Sequence, residues 1–153
     1  MPIHFVKGDI CLTGAQSILL GLNARGQADV NPLETTLRDQ HPVFFSEYRR
    51  MARNNALPTL WVFRESHPWF IGVVLRDSAR GIIRLRLLEQ ALTTLRLEWQ
   101  REGLESIAVA PLGDELEWPA LKGLLEELLI YIPIPIFVYE EYIPGQKADE
   151  PKE

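Results

Sequence analysis

The sequence predicts an α/β protein: a three-layer α/β/α sandwich around a mixed, mostly parallel sheet of about six strands. Short apolar segments rich in β-branched residues alternate with four stretches of helical period. Several connections are long enough to cross over between parallel strands. The 153 residues are 46% hydrophobic and 24% charged, enough apolar material for one real core.

Pro2 to Val6 reads as the opening strand, and Gly8-Asp9-Ile10 as the turn that leaves it. Gln16 to Leu22 is the second, with Ile18-Leu19-Leu20 suited to burial on both faces. Asn31-Pro32-Leu33-Glu34 starts a helix: Asn caps, Pro fits the first helical position, and Glu34 is placed to reach back to the cap. That helix runs to about Asp39, where His41-Pro42 interrupts it, because a residue before proline avoids the helical region. Helical spacing resumes from Val43 to Arg53 through Phe44, Phe45, Tyr48 and Met51, and Asn54-Asn55 ends it. Thr59 to Phe63 and Trp69 to Leu75 are strands, paired as a hairpin or as neighbours across the turn residues Ser66-His67-Pro68. The longest helix spans Ile82 to about Trp99 and stops at Gly103. Ile107 to Leu112 is a strand, Leu121 to Leu129 a helix, and Ile134 to Tyr139 the last strand. Residues 1–145 form one domain, and 146–153 a polar tail expected to be unstructured.

Charge narrows the partners. A net charge of −5 gives no overall drive toward nucleic acid or anionic lipid, so a polyanion would need a local basic patch. One such patch exists: Arg76, Arg80, Arg84 and Arg86 cluster around the start of the long helix, either to meet nucleic acid or as a solvated helix flank. The apolar runs are too short to span a bilayer, broken as they are by Pro133 and Pro135, so no membrane partner is expected. A lone cysteine, Cys11, reads as a small buried hydrophobe, and with no basic-then-apolar leader it points to the cytoplasm. His4, His41 and His67 share no metal-ligand spacing with one another or with Cys11, so neither metal nor other cofactor is expected. The four tryptophans, Trp61, Trp69, Trp99 and Trp118, fall on apolar patterns and read as core anchors.

In such a sheet, ligands sit beyond the carboxyl ends of the strands, which selects the loops that begin at Gly8, Asn23, Arg76 and Gly113. The residues around them are Val6-Lys7-Gly8-Asp9-Ile10, Leu20-Gly21-Leu22-Asn23, His41-Pro42 with Phe45 and Tyr48, Ala110-Pro111-Leu112-Gly113 leading to Leu116-Glu117-Trp118, and Val138-Tyr139-Glu140. In this order and spacing, from about Ile3 to Tyr139, they resemble the macro domain, the ADP-ribose-binding fold. The nearest branch is that of small ADP-ribosylglycohydrolases: DNA-deADP-ribosylating antitoxins and terminal ADP-ribose protein glycohydrolases.

The resemblance implies that Asp9 accepts the adenine amino group, with Ile10 packed beside the base; taken without the rest of the chain, Gly8-Asp9 reads as a plain turn. Asn23 matches the asparagine that contacts the distal ribose, while Leu20 stands where a second asparagine is frequent. In the next loop, Ala24-Arg25-Gly26-Gln27-Ala28-Asp29-Val30, only Gly26 remains of several glycines, and Arg25 either compensates by a charge-assisted bond to phosphate or is a solvated side chain. Leu112 and Gly113 border the ligand in the loop after the fifth strand. The hydrolase branch carries a lysine where this chain has Arg76, and arginine stays protonated, so a lysyl adduct is closed to it. Asp114 matches the second acid of the branch, in a loop about three residues shorter than usual; it acts either as a base on water or, with Glu115, as a solvated helix-start pair.

The implied function is a divergent module that binds ADP-ribose, a related nucleotide or an ADP-ribosylated macromolecule, without efficient hydrolysis. Two alternatives stand beside it: a glycohydrolase acting on ADP-ribosylated DNA or protein, and a scaffold that has lost the ligand.

Overall fold

The computed structural model describes residues 3–28 and 31–151. Pro2 at the expected strand start, Asp29 and Val30 of the second loop, and the last two residues lie outside them. The strands are β1 (Ile3–Gly8), β2 (Ser17–Asn23), β3 (Leu60–Phe63), β4 (Trp69–Arg76), β5 (Ile107–Val109) and β6 (Ile136–Tyr142). The helices are α1 (Pro32–Gln40), α2 (Pro42–Arg53), α3 (Leu85–Glu98) and α4 (Trp118–Leu129), and a short 3-10 turn covers Ile10–Leu12. The sheet has the order β1-β6-β5-β2-β4-β3. All its pairs are parallel except β3 against β4, which run antiparallel with Leu60 opposite Val73. A mixed, mostly parallel sheet is therefore what the sequence led us to expect.

Alternation of side chains divides the interior in two. Leu19, Ile71, Val73, Leu75, Ile107, Val109, Ile136 and Val138 face α3 and α4. Ile18, Leu20, Leu22, Phe70, Ala108, Ala110, Phe137 and Tyr139 face α1 and α2, where Phe44 stacks on Phe70 and on Trp61 with ring centroids 4.5 and 5.0 Å apart. Each central strand is thus apolar on both faces, as strands covered by helices on both sides must be. Trp69, Trp99 and Trp118 pack half-buried against the first core.

Three boundaries move for identifiable reasons. The long helix begins at Leu85 rather than Ile82: Arg84 is extended and its N–H donates to the Leu75 carbonyl at 2.9 Å, while the Ile83 N–H donates to Glu117 Oε2 at 2.9 Å. Strand β5 stops at Val109, because one more ladder bond, Ala110 N–H to Leu19 O at 2.9 Å, is followed by Pro111, which has no donor. Strand β6 runs on to Tyr142, held by β1 through Gly8 opposite Tyr142 across a register shift at Val6/Lys7.

The α1 start is as expected: Asn31 Oδ1 accepts the Glu34 N–H at 2.8 Å, with Pro32 in the first turn. Beyond Tyr142 the chain carries no helix or strand through Pro151, yet it does not leave the domain. Ile143 N–H donates to Gly8 O at 2.9 Å, Ala148 is buried in the second core, and Glu150 is bonded to residues of the first loop. No helix among the described residues is long and apolar enough to cross a membrane.

Candidate functional site

The carboxyl ends of β1, β2, β4, β5 and β6 all lie at one edge of the sheet, because these five strands are parallel. Asp9 follows β1 there and is only 8% exposed. Its Oδ1 accepts the Cys11 N–H at 2.9 Å, capping the 3-10 turn. Its Oδ2 accepts the Gly145 N–H at 2.9 Å, and its own N–H donates to Gln146 O at 2.6 Å. Both carboxylate oxygens therefore hold main-chain donors. Ile10 is wholly buried in the second core. Burial, with the Asp9 carboxylate beside it, pushes the Cys11 thiol up to about 11, so this cysteine stays protonated and unreactive at neutral pH.

Asn23 closes its own loop. Its Oδ1 accepts the N–H groups of Arg25 and Gln27 at 3.2 and 3.0 Å, and its Nδ2 donates to Gln27 O at 2.9 Å. The Tyr48 hydroxyl sits behind it, accepting the Asn23 N–H at 2.8 Å and donating to the Asn23 carbonyl at 2.9 Å. Burial lifts the Tyr48 phenol to about 12. Gly26 has φ +68°, and a Cβ there would stand 2.9 Å from the Ala52 Cβ, so the surviving glycine lets the loop lie against α2. Arg25 is exposed.

Arg76 pairs in register with Asn23 and donates from Nη1 to Ala79 O at 3.3 Å. It lines a cavity of about 60 Å³ between the ends of β2, β4 and β5, with Leu20, Leu22, Glu34, Leu37 and Leu112 among its walls. That space suits a few waters, whereas pockets for drug-sized ligands are several hundred Å³. Arg84 of the basic cluster pairs with Asp77 at 3.3 Å on the surface.

The loop after β5 folds on itself as well. Leu112 is buried, and Gly113, at φ +70°, presses against Leu121 and Glu117. Asp114 Oδ1 accepts the Glu117 N–H at 2.8 Å while Glu117 Oε1 accepts the Asp114 N–H at 3.1 Å, a reciprocal cap at the approach to α4. Glu117 also holds the Ile83 N–H. Asp114 and Glu115 are exposed. Asp114 thus bonds with Glu117 in the turn that precedes α4.

The structure thus gathers Arg76 and Leu112 at the central cavity and leaves Asp9 and Ile10 at one end of the strand edge. Asn23, Arg25 and Gly26 form one closed loop, and Gly113 and Asp114 another. Sequence reasoning gave no site role to four residues that organise these places. Glu117 is signalled by the spacing Asp114-x-x-Glu117. Tyr48 is signalled by its helical period and by its place after His41-Pro42. Arg38 packs its guanidinium 4.5 Å over the Phe45 ring and 3.6 Å from Glu34, with Nε and Nη2 buried and, among the described residues, without a hydrogen-bond partner. Glu150 accepts from Thr13 Oγ1, from the Gly14 N–H and from the Tyr139 hydroxyl, and lies in the expected tail. Burial and the Glu150 carboxylate together push the Tyr139 phenol well above its ordinary range.

No family model and no curated protein matches this sequence. Solved structures do. The macrodomain of Thermus aquaticus DarG superposes with a TM-score of 0.79 at 20% identity, covering 90% of this chain and 97% of its own. Thermosipho africanus DarTG in complex with ADP-ribose gives 0.81 at 19% identity over 95% of this chain and 42% of that longer one. The Mycobacterium tuberculosis DarG macrodomain gives 0.76 at 17% identity, covering 94% and 98%. Strand order, helix placement and these three superpositions agree: the chain has the macrodomain fold.

Proposed function

We propose that this chain is a binding module for ADP-ribose or an ADP-ribosylated group and does not hydrolyse it efficiently. The observation that carries the reading is Asp9. A carboxylate fixed at the end of β1 accepts an N–H donor on Oδ2 from a segment outside its own loop, the geometry an exocyclic purine amine would use. Glu34, Arg38 and Arg76 bring one negative and two positive charges to the α1 side of the strand edge, where all three act on the Tyr48 hydroxyl. Thermosipho africanus DarTG, part of which shares this fold, was solved in complex with ADP-ribose, which supports the choice of ligand.

Hydrolysis lacks its parts. Arg76 carries a permanent charge and cannot serve as nucleophile or base. Asp114 spends an oxygen on the Glu117 N–H in an exposed loop. The scaffold reading is the second one, favoured by the 60 Å³ of the central cavity.

Calorimetric titration with ADP-ribose separates them. Saturable heat at up to millimolar ligand, lost in Asp9→Ala, is the expected result, and silence in the unsubstituted chain contradicts it. Turnover of ADP-ribosylated DNA or protein that vanishes in Asp114→Ala would instead establish the glycohydrolase.

A further inference from the structure

We propose that residues 143–150 are a strap that occupies the Asp9 end of the cleft in competition with ligand, and that the Glu150 carboxylate is its latch. This rests on the ADP-ribose reading above and names how that site is regulated.

The contacts run in sequence along the strap. Ile143 N–H extends the β1 edge to Gly8 O at 2.9 Å, Gly145 N–H takes Asp9 Oδ2 at 2.9 Å, and Gln146 O takes the Asp9 N–H at 2.6 Å. Gly145 reaches this position at φ +78°. Ala148 then enters the second core, and Glu150 closes the line on three donors, the hydroxyls of Thr13 and Tyr139 and the N–H of Gly14. Three convergent donors make a built carboxylate site, filled in cis. The strap's donor to Asp9 is an N–H, the same chemistry as a purine amine, so strap and ligand cannot hold that oxygen in the same geometry at once.

The strap is also made to leave. It has no helix or strand of its own, Ala148 is its one apolar residue in the core, and Pro144 to Lys147 and Asp149 are exposed. Its hold is therefore polar and exchangeable for water, rather than apolar and cooperative. An open groove of about 570 Å³ separates part of the strap from β1, lined by Ile3 to Lys7 on one side and by Gln146, Lys147, Asp149 and Pro151 on the other. The approach is close at Gly8, where a Cβ would stand 2.7 Å from Gln146 O, so β1 carries glycine where the strap crosses.

The test compares the full chain with Glu150→Ala by two readouts: ADP-ribose affinity from calorimetry and hydrogen exchange at the Gly14 amide. Release of the latch is expected to hasten Gly14 exchange and to tighten ADP-ribose about tenfold. In the unsubstituted chain, ADP-ribose itself is expected to hasten Gly14 exchange. Tyr139→Phe removes one latch bond and leaves the ring in place; it should move both readouts in the same direction, by about threefold. Equal affinity of the full chain and Glu150→Ala overturns the strap and leaves the binding reading standing. Faster Gly14 exchange in Glu150→Ala with no ADP-ribose heat from either protein overturns the binding reading, and with it the competition.

Discussion

The Asp9 end of the strand edge and the two loops beyond β2 and β5 hold their polar groups by opposite means. The side chains of Asn23 and Asp114 are satisfied from within their own loops, by partners two to four residues away. Asp9 instead gives one oxygen to a segment 136 residues further along the chain. A locally satisfied loop can be opened only by giving up its own conformation. A long-range contact can be exchanged for another donor while the loop stays as it is. The fold has thus kept one end of the cleft adjustable and set the other two.

Removing the support behind Asn23 breaks this contrast hardest. Tyr48→Phe leaves the buried Asn23 N–H without its partner, while the Asn23 carbonyl loses one of two donors and keeps the Gly26 N–H at 3.2 Å, and the change should cost about 1–3 kcal/mol in denaturant unfolding. A loss below about 1 kcal/mol would mean that the loop does not depend on the tyrosine. The same hydroxyl gives a pH signature. Its pKa is raised in the fold from 10.0 to about 12, so its contribution is complete below pH 10 and fades as the pH rises from there toward 12. Two pH units correspond to about 2–3 kcal/mol, and that alkaline loss should be absent in Tyr48→Phe.

A smaller effect sharpens the comparison at the third loop. Asp114→Ala removes one half of the reciprocal cap before α4 and should cost about 1 kcal/mol, with ADP-ribose affinity unchanged. Loss of binding in that variant would place Asp114 in the ligand site, contrary to the local role its geometry gives it.

These regions also differ in how far the sequence discloses them. Strand interiors such as Ile18-Leu19-Leu20 and helix starts such as Asn31-Pro32 are local signals, and the structure follows them. The start of α3 was less legible, because Ile83 is drawn out of the helix by Glu117, 34 residues later in the chain. Glu117 itself is announced by its spacing from Asp114, a capping pattern plain to read when only the acidic pair Asp114-Glu115 is not taken as the unit. The strap gives no such signal. Gln146 to Pro151 is polar and without period, and its place is fixed by single bonds to Asp9, Thr13, Gly14 and Tyr139 that only the folded topology brings within reach. The macrodomain fold was readable from motif order, whereas the segment that bonds to Asp9 was not.

The Gly145 amide reports on the central claim most directly, since its N–H stands on the carboxylate oxygen assigned to the purine. In an ¹⁵N-resolved titration of the full chain with ADP-ribose, the Gly145 and Gly14 resonances should shift together and saturate at one ligand concentration. Saturable binding that leaves both resonances where they were would contradict the account.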